Sequence, residues 1–306
     1  MAFTRGPWLA CTAVLLAAGL AGAAPAPAEA DLLRYRFKEG DRVKYVLEEK
    51  TVIEIDLGTG PAAVETTTTL DLAWQVANVG KEGKYTVTQT IERLRMEFPT
   101  TRGKLSYDSK AKAGNDPNAK QWAEVLGVFT GGEMTLVLDG RGRIDGLKYS
   151  EKLARGVAGL PLWAAGAAAA LSEDNVRRML GECLPMLPEK APVKGQPWDS
   201  KLQAKFAGEV NLTLDNKHTC EGAEARGDGK LEKIVTKPTL TASAEKSMIE
   251  LLKQDVSSTS YFDRAAGRVR ETVFTQKIEL KSTQGGRAVT VKGTTVVTMK
   301  LVDKEK

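Results

Sequence analysis

One short pattern occurs twice in the chain: residues 135–144 are TLVLDGRGRI and residues 260–269 are SYFDRAAGRV. Each copy runs from apolar residues into a turn that begins with an aspartate, Asp139 or Asp263, and returns through Gly-Arg to a β-branched residue. Aspartate and glycine favour tight reversals between antiparallel strands. The pattern therefore predicts two β-hairpins and, around them, two related β modules.

The sequence outside these hairpins predicts a mainly β protein with a few helices. Matched turns, GKEG at residues 80–83 and GDG at residues 227–229, are each followed by a lysine and an apolar residue, which favours an internal repeat. We expect two pseudo-repeated, curved antiparallel sheets that form an open or partly closed barrel over central helices. The predicted divisions are a signal peptide (1–30), a first β module with an inserted helix (31–150), an apolar linker and helix (151–190) and a second β module (191–306).

The first thirty residues have the order of a secretory signal. Arg5 precedes an uncharged run rich in leucine and alanine, and Ala28-Glu29-Ala30 offers a small-residue cleavage site. We therefore expect an exported protein, periplasmic or extracellular, whose mature chain begins near Asp31. The formal net charge of +5 is spread along the chain, with basic and acidic residues interspersed, which does not favour a nucleic-acid partner.

Strand patterns dominate both predicted modules. Residues 66–79 place Thr66, Leu70 and Trp74 on one face of a long strand, because successive side chains point to opposite sides. In residues 85–98 the apolar phase changes between Ile91 and Leu94, which predicts a β-bulge. Residues 248–252 suggest a single helical turn.

The middle of the chain predicts two helices and an apolar linker. Asp116-Pro117 caps the first helix, and Ser172 caps the second, which has acidic residues in its first turn. Residues 153–171 between them are rich in alanine and glycine, but Pro161 weakens any helix there. We expect a linker packed against the sheet and no stable transmembrane segment after signal cleavage.

Two cysteines, Cys183 and Cys220, remain after the predicted cleavage. Exported proteins meet oxidising conditions, so a disulfide between them is one interpretation. Two buried, unpaired thiols are the other, because sequence alone does not bring the Cβ atoms together.

The sequence contains no constellation typical of catalysis or metal binding. Its single histidine, His218, lies in a polar stretch and is interpreted as a surface or turn residue. The aspartates near the first hairpin are accompanied by Arg141 and Arg143, which would repel a calcium ion. We predict no catalytic residues, no metal site and no cofactor.

Apolar side chains of the middle region form the candidate ligand site. They either fill the core beneath the sheets or line a cavity for an apolar molecule. The candidate residues are Trp122, Phe129, Leu160, Leu162, Trp163 and Met179.

Three stretches carry a resemblance to known proteins: LRYRFKEGD at residues 33–41, the segments LP and PVKGQPW within residues 187–198, and FDRAAGR at residues 262–268. On these residues the chain resembles an uncharacterised family of exported bacterial proteins. The predicted fold is also remotely similar to periplasmic carriers of lipoproteins and lipids, which is analogy of fold alone. The motifs of this resemblance carry no known activity. The leading functional hypothesis is a non-catalytic binding protein of the cell envelope whose partner is a lipid or other apolar ligand. The alternative is an envelope interaction or scaffold protein with a filled core, whose partner is another envelope protein.

Overall fold

The computed structural model describes residues 32–56, 60–100, 103–111, 117–164, 172–206, 210–227, 229–243, 249–284 and 287–302. The predicted signal peptide lies outside them. Most of the described residues belong to strands. The strands are β1 (Arg42–Asp56), β2 (Pro61–Val79), β3 (Tyr85–Thr100), β4 (Gly103–Asp108), β5 (Glu133–Leu138), β6 (Ile144–Tyr149), β7 (Pro197–Phe206), β8 (Val210–Arg226), β9 (Gly229–Ser243), β10 (Ile249–Asp263), β11 (Arg268–Gln284) and β12 (Arg287–Val302).

All of these strands form one antiparallel sheet in the order β6-β5-β3-β2-β1-β12-β11-β10-β9-β8-β7, with β4 paired to β3. The predicted fold class, mainly β with an open antiparallel sheet and a few helices, is confirmed. One feature differs from the prediction: the two expected sheets are joined into one continuous sheet. Lys44 to Asp56 of β1 pair with Val302 to Thr290 of β12, and this pairing joins the two halves.

The local predictions for strands have mixed outcomes. The bulge expected in residues 85–98 is confirmed, since Asp71 pairs with Arg93 and Leu72 with Ile91, which leaves Glu92 as the extra residue of β3. The helical turn expected near residues 248–252 is wrong for residues 249–252, which belong to strand β10.

Three α-helices are described: α1 (Pro117–Gly127), α2 (Glu151–Ala158) and α3 (Glu173–Cys183). The Ser172 side chain accepts a hydrogen bond from the Asn175 N–H at 3.3 Å, as the sequence predicts. Ser150 caps α2 in the same way, whereas the predicted cap Asp116 lies outside the described residues. No helix in the described part of the chain is both long enough and apolar enough to cross a membrane.

Helix α3 connects the two edges of the sheet. It contacts β6 and β7, the edge strands, and also β11 and β12 near the middle. The Thr272 hydroxyl donates to the carbonyl of Cys183 at the end of α3, at 2.8 Å. Helix α3 therefore lies on the apolar face of the sheet, which we call the inner face.

The two similar hairpins meet on one extended segment near the start of the described chain, residues 33–37, which we call the N-terminal strap. The N–H of Tyr35 donates to the carbonyl of Gly140 at 2.8 Å, and the N–H of Arg36 donates to that of Gly267 at 2.9 Å. The turns β5–β6 and β10–β11 are thus held by consecutive residues of the strap. The duplication of the two modules stays a prediction.

The strap also fixes the end of the sheet that the helices cover. Tyr35 is 1% exposed, its ring lies 5.3 Å from that of Phe262, and its carbonyl accepts the Tyr85 hydroxyl at 2.9 Å. Arg34 donates to the carbonyls of Pro188 and Glu189. We call this part of the sheet the covered end.

Candidate functional site

The predicted ligand residues mostly belong to the core. Phe129 and Met179 are buried in the main apolar cluster, and Trp122 and Leu160 pack against it. Leu162 is 95% exposed. The side chain of Trp163 lies outside the described residues. The structure brings four of the six together as packing, and none of them lines the three cavities described below.

Beyond the core the inner face first carries a polar row, Thr66, Thr51, Thr295 and Gln276, and then aliphatic side chains on four adjacent strands. Ile53 of β1 lies directly opposite Val64 of β2 and opposite Gly293 of β12, and Gly293 in turn lies opposite Ile278 of β11. Directly opposed residues in an antiparallel sheet share a face. Two residues further along, Ile55, Val291 and Leu280 form a second row. We call the six side chains the apolar belt: Ile53, Ile55, Val64, Ile278, Leu280 and Val291.

The belt lies on the same face as the core but outside it. Along β1 the core ends at Leu47, and along β2 it ends at Leu70. Leu47 and Leu70 are themselves opposite one another, and side chains alternate without a bulge from Leu47 to Ile53. Every belt residue is partly exposed, and Val64 reaches 38%. Among the described residues, the belt is therefore an apolar surface without a packed cover.

The sequence predicted these strands but did not single out the belt. The alternation in TVIEID, residues 51–56, gives a strand with Ile53 and Ile55 on one face. Residues 277–281, KIELK, give the same pattern for Ile278 and Leu280. What the sequence does not contain is the register across strands, which decides that these side chains meet.

A second feature of the inner face is a chain of polar side chains across strands β7, β8 and β9. The Ser200 hydroxyl lies 2.7 Å from Nε2 of His218, and the Thr236 hydroxyl lies 2.8 Å from Nδ1. The ring of Trp198 stacks on the imidazole at 5.4 Å. His218 is 2% exposed, so its interpretation as a surface or turn residue is wrong. The residues around His218 are polar, but they form a strand whose inner face is buried.

Burial determines the chemistry of this histidine. Removal from water lowers the pKa of His218 from 6.5 to about 4, because the charged imidazolium loses its hydration. The ring is neutral at pH 7, with both nitrogens bonded to hydroxyl groups. These hydrogen bonds orient side chains of three strands, and the histidine takes up a proton only in acid.

The histidine borders a small cavity beneath α3. Its volume is about 10 Å³, the space of one water molecule, and Glu182, Leu214, Thr236 and Phe274 contribute to its walls. Glu182 forms an ion pair with Arg178 at one side, and burial raises the pKa of its carboxyl. The cavity is too small for an organic ligand.

The two cysteines occupy different elements. Cys183 is the last residue of α3, and Cys220 lies in β8. Both are buried free thiols, so no bridge joins them in this structure. Burial raises the pKa of each thiol, which keeps both protonated and unreactive at neutral pH.

The opposite face of the sheet carries a polar cleft of about 490 Å³ over strands β1 to β4. Several charged side chains at the cleft form ion pairs, among them Lys50 with Glu48. Arg95 contacts Asp71, and Arg93 contacts Asp108. The hydrogen bond from Arg93 lowers the pKa of Asp108 to about 2. These pairs are typical of a solvated sheet face.

A third cavity, of about 400 Å³, lies in the loop between α3 and β7. Three prolines and Trp198 contribute to its walls, and the indole N–H of Trp198 donates to the carbonyl of Met186 at 2.8 Å. Val193 at its rim is 61% exposed.

In the part of the chain that the structure describes, no group of three or more His, Cys, Asp or Glu side chains is placed to hold a metal ion.

No protein-family profile matches the chain, and no curated protein matches it. Several solved structures are similar to it. A lipovitellin structure concerned with lipid–protein interactions aligns with 88% of this chain at 10% identity and a TM-score of 0.48, and the chain spans only 26% of that protein's length. An outer membrane channel from Pseudomonas putida F1 aligns over 88% of this chain and 97% of its own, at 8% identity and a TM-score of 0.27. DynF, from the dynemicin biosynthesis pathway of Micromonospora chersina, aligns over 92% and 86%, at 8% identity and a TM-score of 0.24.

Proposed function

We propose that this chain is an exported, non-catalytic protein of the cell envelope that holds an apolar ligand, an acyl chain, against the apolar belt. The observation that carries the proposal is a second apolar area on the inner face, separated from the core by polar residues such as Thr51 and Thr295, with partly exposed aliphatic side chains from β2 to β11. Exposed apolar surfaces of this kind mark binding sites more often than isolated exposed residues do.

The shape and chemistry of the belt favour an extended hydrocarbon. It crosses four neighbouring strands, a distance of about 15 Å at the usual strand spacing of about 4.8 Å. Its side chains are all aliphatic, so they offer contact area without hydrogen-bond donors or ring stacking. The ligand's polar head would remain in water, because the belt supplies no partner for it.

The proposal predicts a dependence of affinity on chain length. Each methylene that leaves water contributes about 0.8 kcal/mol, which is about a fourfold change in affinity. We expect saturated fatty acids of increasing length to displace a fluorescent apolar probe, N-phenyl-1-naphthylamine, with increasing potency until the belt is filled. Potency that does not change with chain length would contradict the proposal.

A pair of adjacent substitutions tests the site. Ile53→Asp places a charge in the belt, whereas Val52→Asp places the same charge on the opposite face of the same strand. We expect Ile53→Asp to abolish probe uptake and Val52→Asp to retain it, with circular dichroism confirming the fold of both. Equal uptake by the two variants would show that the probe binds elsewhere.

The second candidate is an envelope scaffold with a filled core and no small ligand. It is favoured by the packing of Phe129 and Met179 into the main apolar cluster. The two candidates differ in the wild-type protein: a scaffold shows an unliganded mass in native mass spectrometry and takes up no probe. Export itself is tested by sequencing the mature N-terminus after cell fractionation, where cleavage after Ala30 is the expected result.

A further inference from the structure

A glycine lies in the middle of the apolar belt. Gly293 of β12 is opposite Ile53 of β1 on one side and opposite Ile278 of β11 on the other, and the register continues through it without a shift on both sides. Glycine weakens the interior of a strand, because it has no side chain to pack and loses more conformational entropy on folding than other residues do. A glycine at this position therefore calls for a physical explanation.

The backbone does not supply that explanation. Gly222 of β8 has φ +96° and lies at a bulge in the pairing with β9, and Gly146 of β6 lies beside a bulge in the pairing with β5. Gly293 has neither a positive φ nor a bulge. The conformation at this position is one that any residue adopts.

Packing within the sheet does not require the glycine either. A Cβ atom on Gly293 would lie 3.3 Å from Cγ1 and 3.8 Å from Cδ1 of Ile278, and among the described residues no other atom lies within 4 Å of it. The Ile278 side chain is partly exposed, so it can rotate away from an added methyl group. A strand glycine that no bulge and no neighbouring backbone explains is typical of a place where a ligand approaches the main chain.

The missing side chain leaves a depression in the belt, which we call the Gly293 notch. Its floor is the main chain of Gly293, and its walls are Ile53 and Ile278 across the strands and Thr295 and Val291 along β12. Strands β1 and β11 are two strand spacings apart, about 10 Å. One hydrocarbon chain between two apolar walls needs about 8 Å, because carbon atoms in contact are about 4 Å apart. The notch therefore has room for one unbranched chain.

The floor of the notch is chemically suited to hydrocarbon. Strand β12 is paired on both sides at Gly293, with β1 and with β11, so its main-chain groups belong to the sheet ladders and offer a ligand no free hydrogen-bond partner. Ile278 leans towards the glycine and narrows the notch further. A methyl branch or a ring on the ligand would collide with the walls, whereas a methylene segment would touch them and the floor.

We propose that Gly293 is the specificity-determining residue of the belt, because its notch seats an unbranched segment of the acyl chain against the main chain of β12 and excludes branched chains. This inference rests on the proposed function. It adds to that function a selection for chain shape, which the exposed aliphatic side chains of the belt do not impose by themselves.

The first test compares two ligands on the wild-type protein. Palmitic and phytanic acids have main chains of the same length, but phytanic acid carries methyl branches at regular intervals. We expect palmitic acid to displace N-phenyl-1-naphthylamine with about tenfold higher potency, as expected if a branch keeps about two methylenes out of the notch. The additional methyl groups make phytanic acid the more apolar competitor, so burial without a notch predicts the opposite order. Equal or higher potency of phytanic acid would overturn the proposal.

The second test fills the notch. Gly293→Val places a side chain between the walls, and Thr294→Val, on the opposite face of the same strand, is the matched control. We expect Gly293→Val to bind palmitic acid about tenfold more weakly and to lose the preference over phytanic acid, while Thr294→Val keeps both. The midpoint of urea denaturation of Gly293→Val should stay unchanged or rise, because valine favours strands. A lower midpoint would show that the glycine serves the packing of the sheet, and it would overturn the proposal.

Gly293→Ala extends the series with a smaller group. It should weaken the binding of palmitic acid about fourfold, the effect of one methylene. Unchanged affinity in both glycine variants, with probe uptake retained, would overturn the notch but leave the belt as the site. Absence of probe uptake by the wild-type protein would overturn the notch and the proposed function together.

Discussion

The two ends of the same strands differ in what lies on their inner face. Leu47 and Leu70 at the covered end are 0% and 3% exposed, whereas Ile53 and Val64, six residues further along the same strands, are partly exposed, with Val64 at 38%. Both pairs are apolar, and each pair is directly opposed across β1 and β2. An apolar pair on the inner face therefore does not by itself become core, and contacts from distant segments decide whether it is buried.

The strap and α3 supply those distant contacts. The strap holds the β5–β6 and β10–β11 turns through Tyr35 and Arg36, and α3 contacts both edge strands. The belt has no corresponding partner among the described residues. If the belt is a binding surface, substitutions at the two ends should separate stability from ligand uptake.

The largest expected effect comes from matched truncations in β1. Leu47→Ala should lower the free energy of unfolding by about 2–5 kcal/mol, because it leaves a cavity in the core. Ile53→Ala should cost only about 1 kcal/mol, because its side chain is already partly exposed. Urea denaturation measures both, and probe uptake should be weakened by Ile53→Ala alone. Equal losses of stability would mean that the belt is core.

Acid should weaken the covered end through His218. The pKa of the histidine is about 4 in the folded chain and 6.5 when unfolded, so the unfolded state binds the proton first as the pH falls. The contribution of the neutral histidine to the free energy of unfolding is fully present above pH 6.5 and decreases between pH 6.5 and 4. Below that window about 3 kcal/mol has been lost. The measurement is urea denaturation of the wild type and of His218→Gln at pH 7, 5.5 and 4. The difference between the two proteins should shrink as the pH falls, and a constant difference would contradict the prediction.

A pair of glycine substitutions tests the contact between strap and turn. Gly267 has φ +63°, and a Cβ there would lie 2.5 Å from Cβ of Arg36 and 2.7 Å from its main-chain nitrogen. Gly195 has φ +79° with open space around the added atom. Alanine at either position is strained by the positive φ. Gly267→Ala should cost about 1–3 kcal/mol more than Gly195→Ala, because the strap must also move.

The readout is thermal unfolding of the two variants under the same conditions. Gly267→Ala should have the lower Tm, and the N-terminal strap should become more accessible to hydrogen exchange at Tyr35 and Arg36. Matching Tm values would show that the strap does not hold the covered end together.

The sequence alone predicts which segments form strands and helices and which side chains share a face. It does not predict which distant strands pair with one another. The hairpins, the bulge in β3 and the Ser172 cap each depend on residues close together in the chain, and all three are confirmed. The joining of the two halves by β1 and β12 depends on residues about 250 positions apart, which no local pattern encodes. His218 shows the same limit, because its burial results from strands β7 and β9 on either side and from α3 above.

The smallest expected effect concerns Leu162, a candidate ligand residue whose exposure the sequence alone does not predict. Leu162 and Phe129 are both large apolar residues of the middle region, yet Leu162 is 95% exposed and Phe129 is 2% exposed. Leu162→Ser should change the free energy of unfolding by less than about 0.5 kcal/mol and leave probe uptake unaltered. Urea denaturation measures the stability of this variant, and probe uptake measures its binding. An exposed side chain affects binding only where the ligand touches it. Loss of probe uptake in Leu162→Ser, with stability intact, would therefore show that the ligand binds at the segment before α3 and not at the belt.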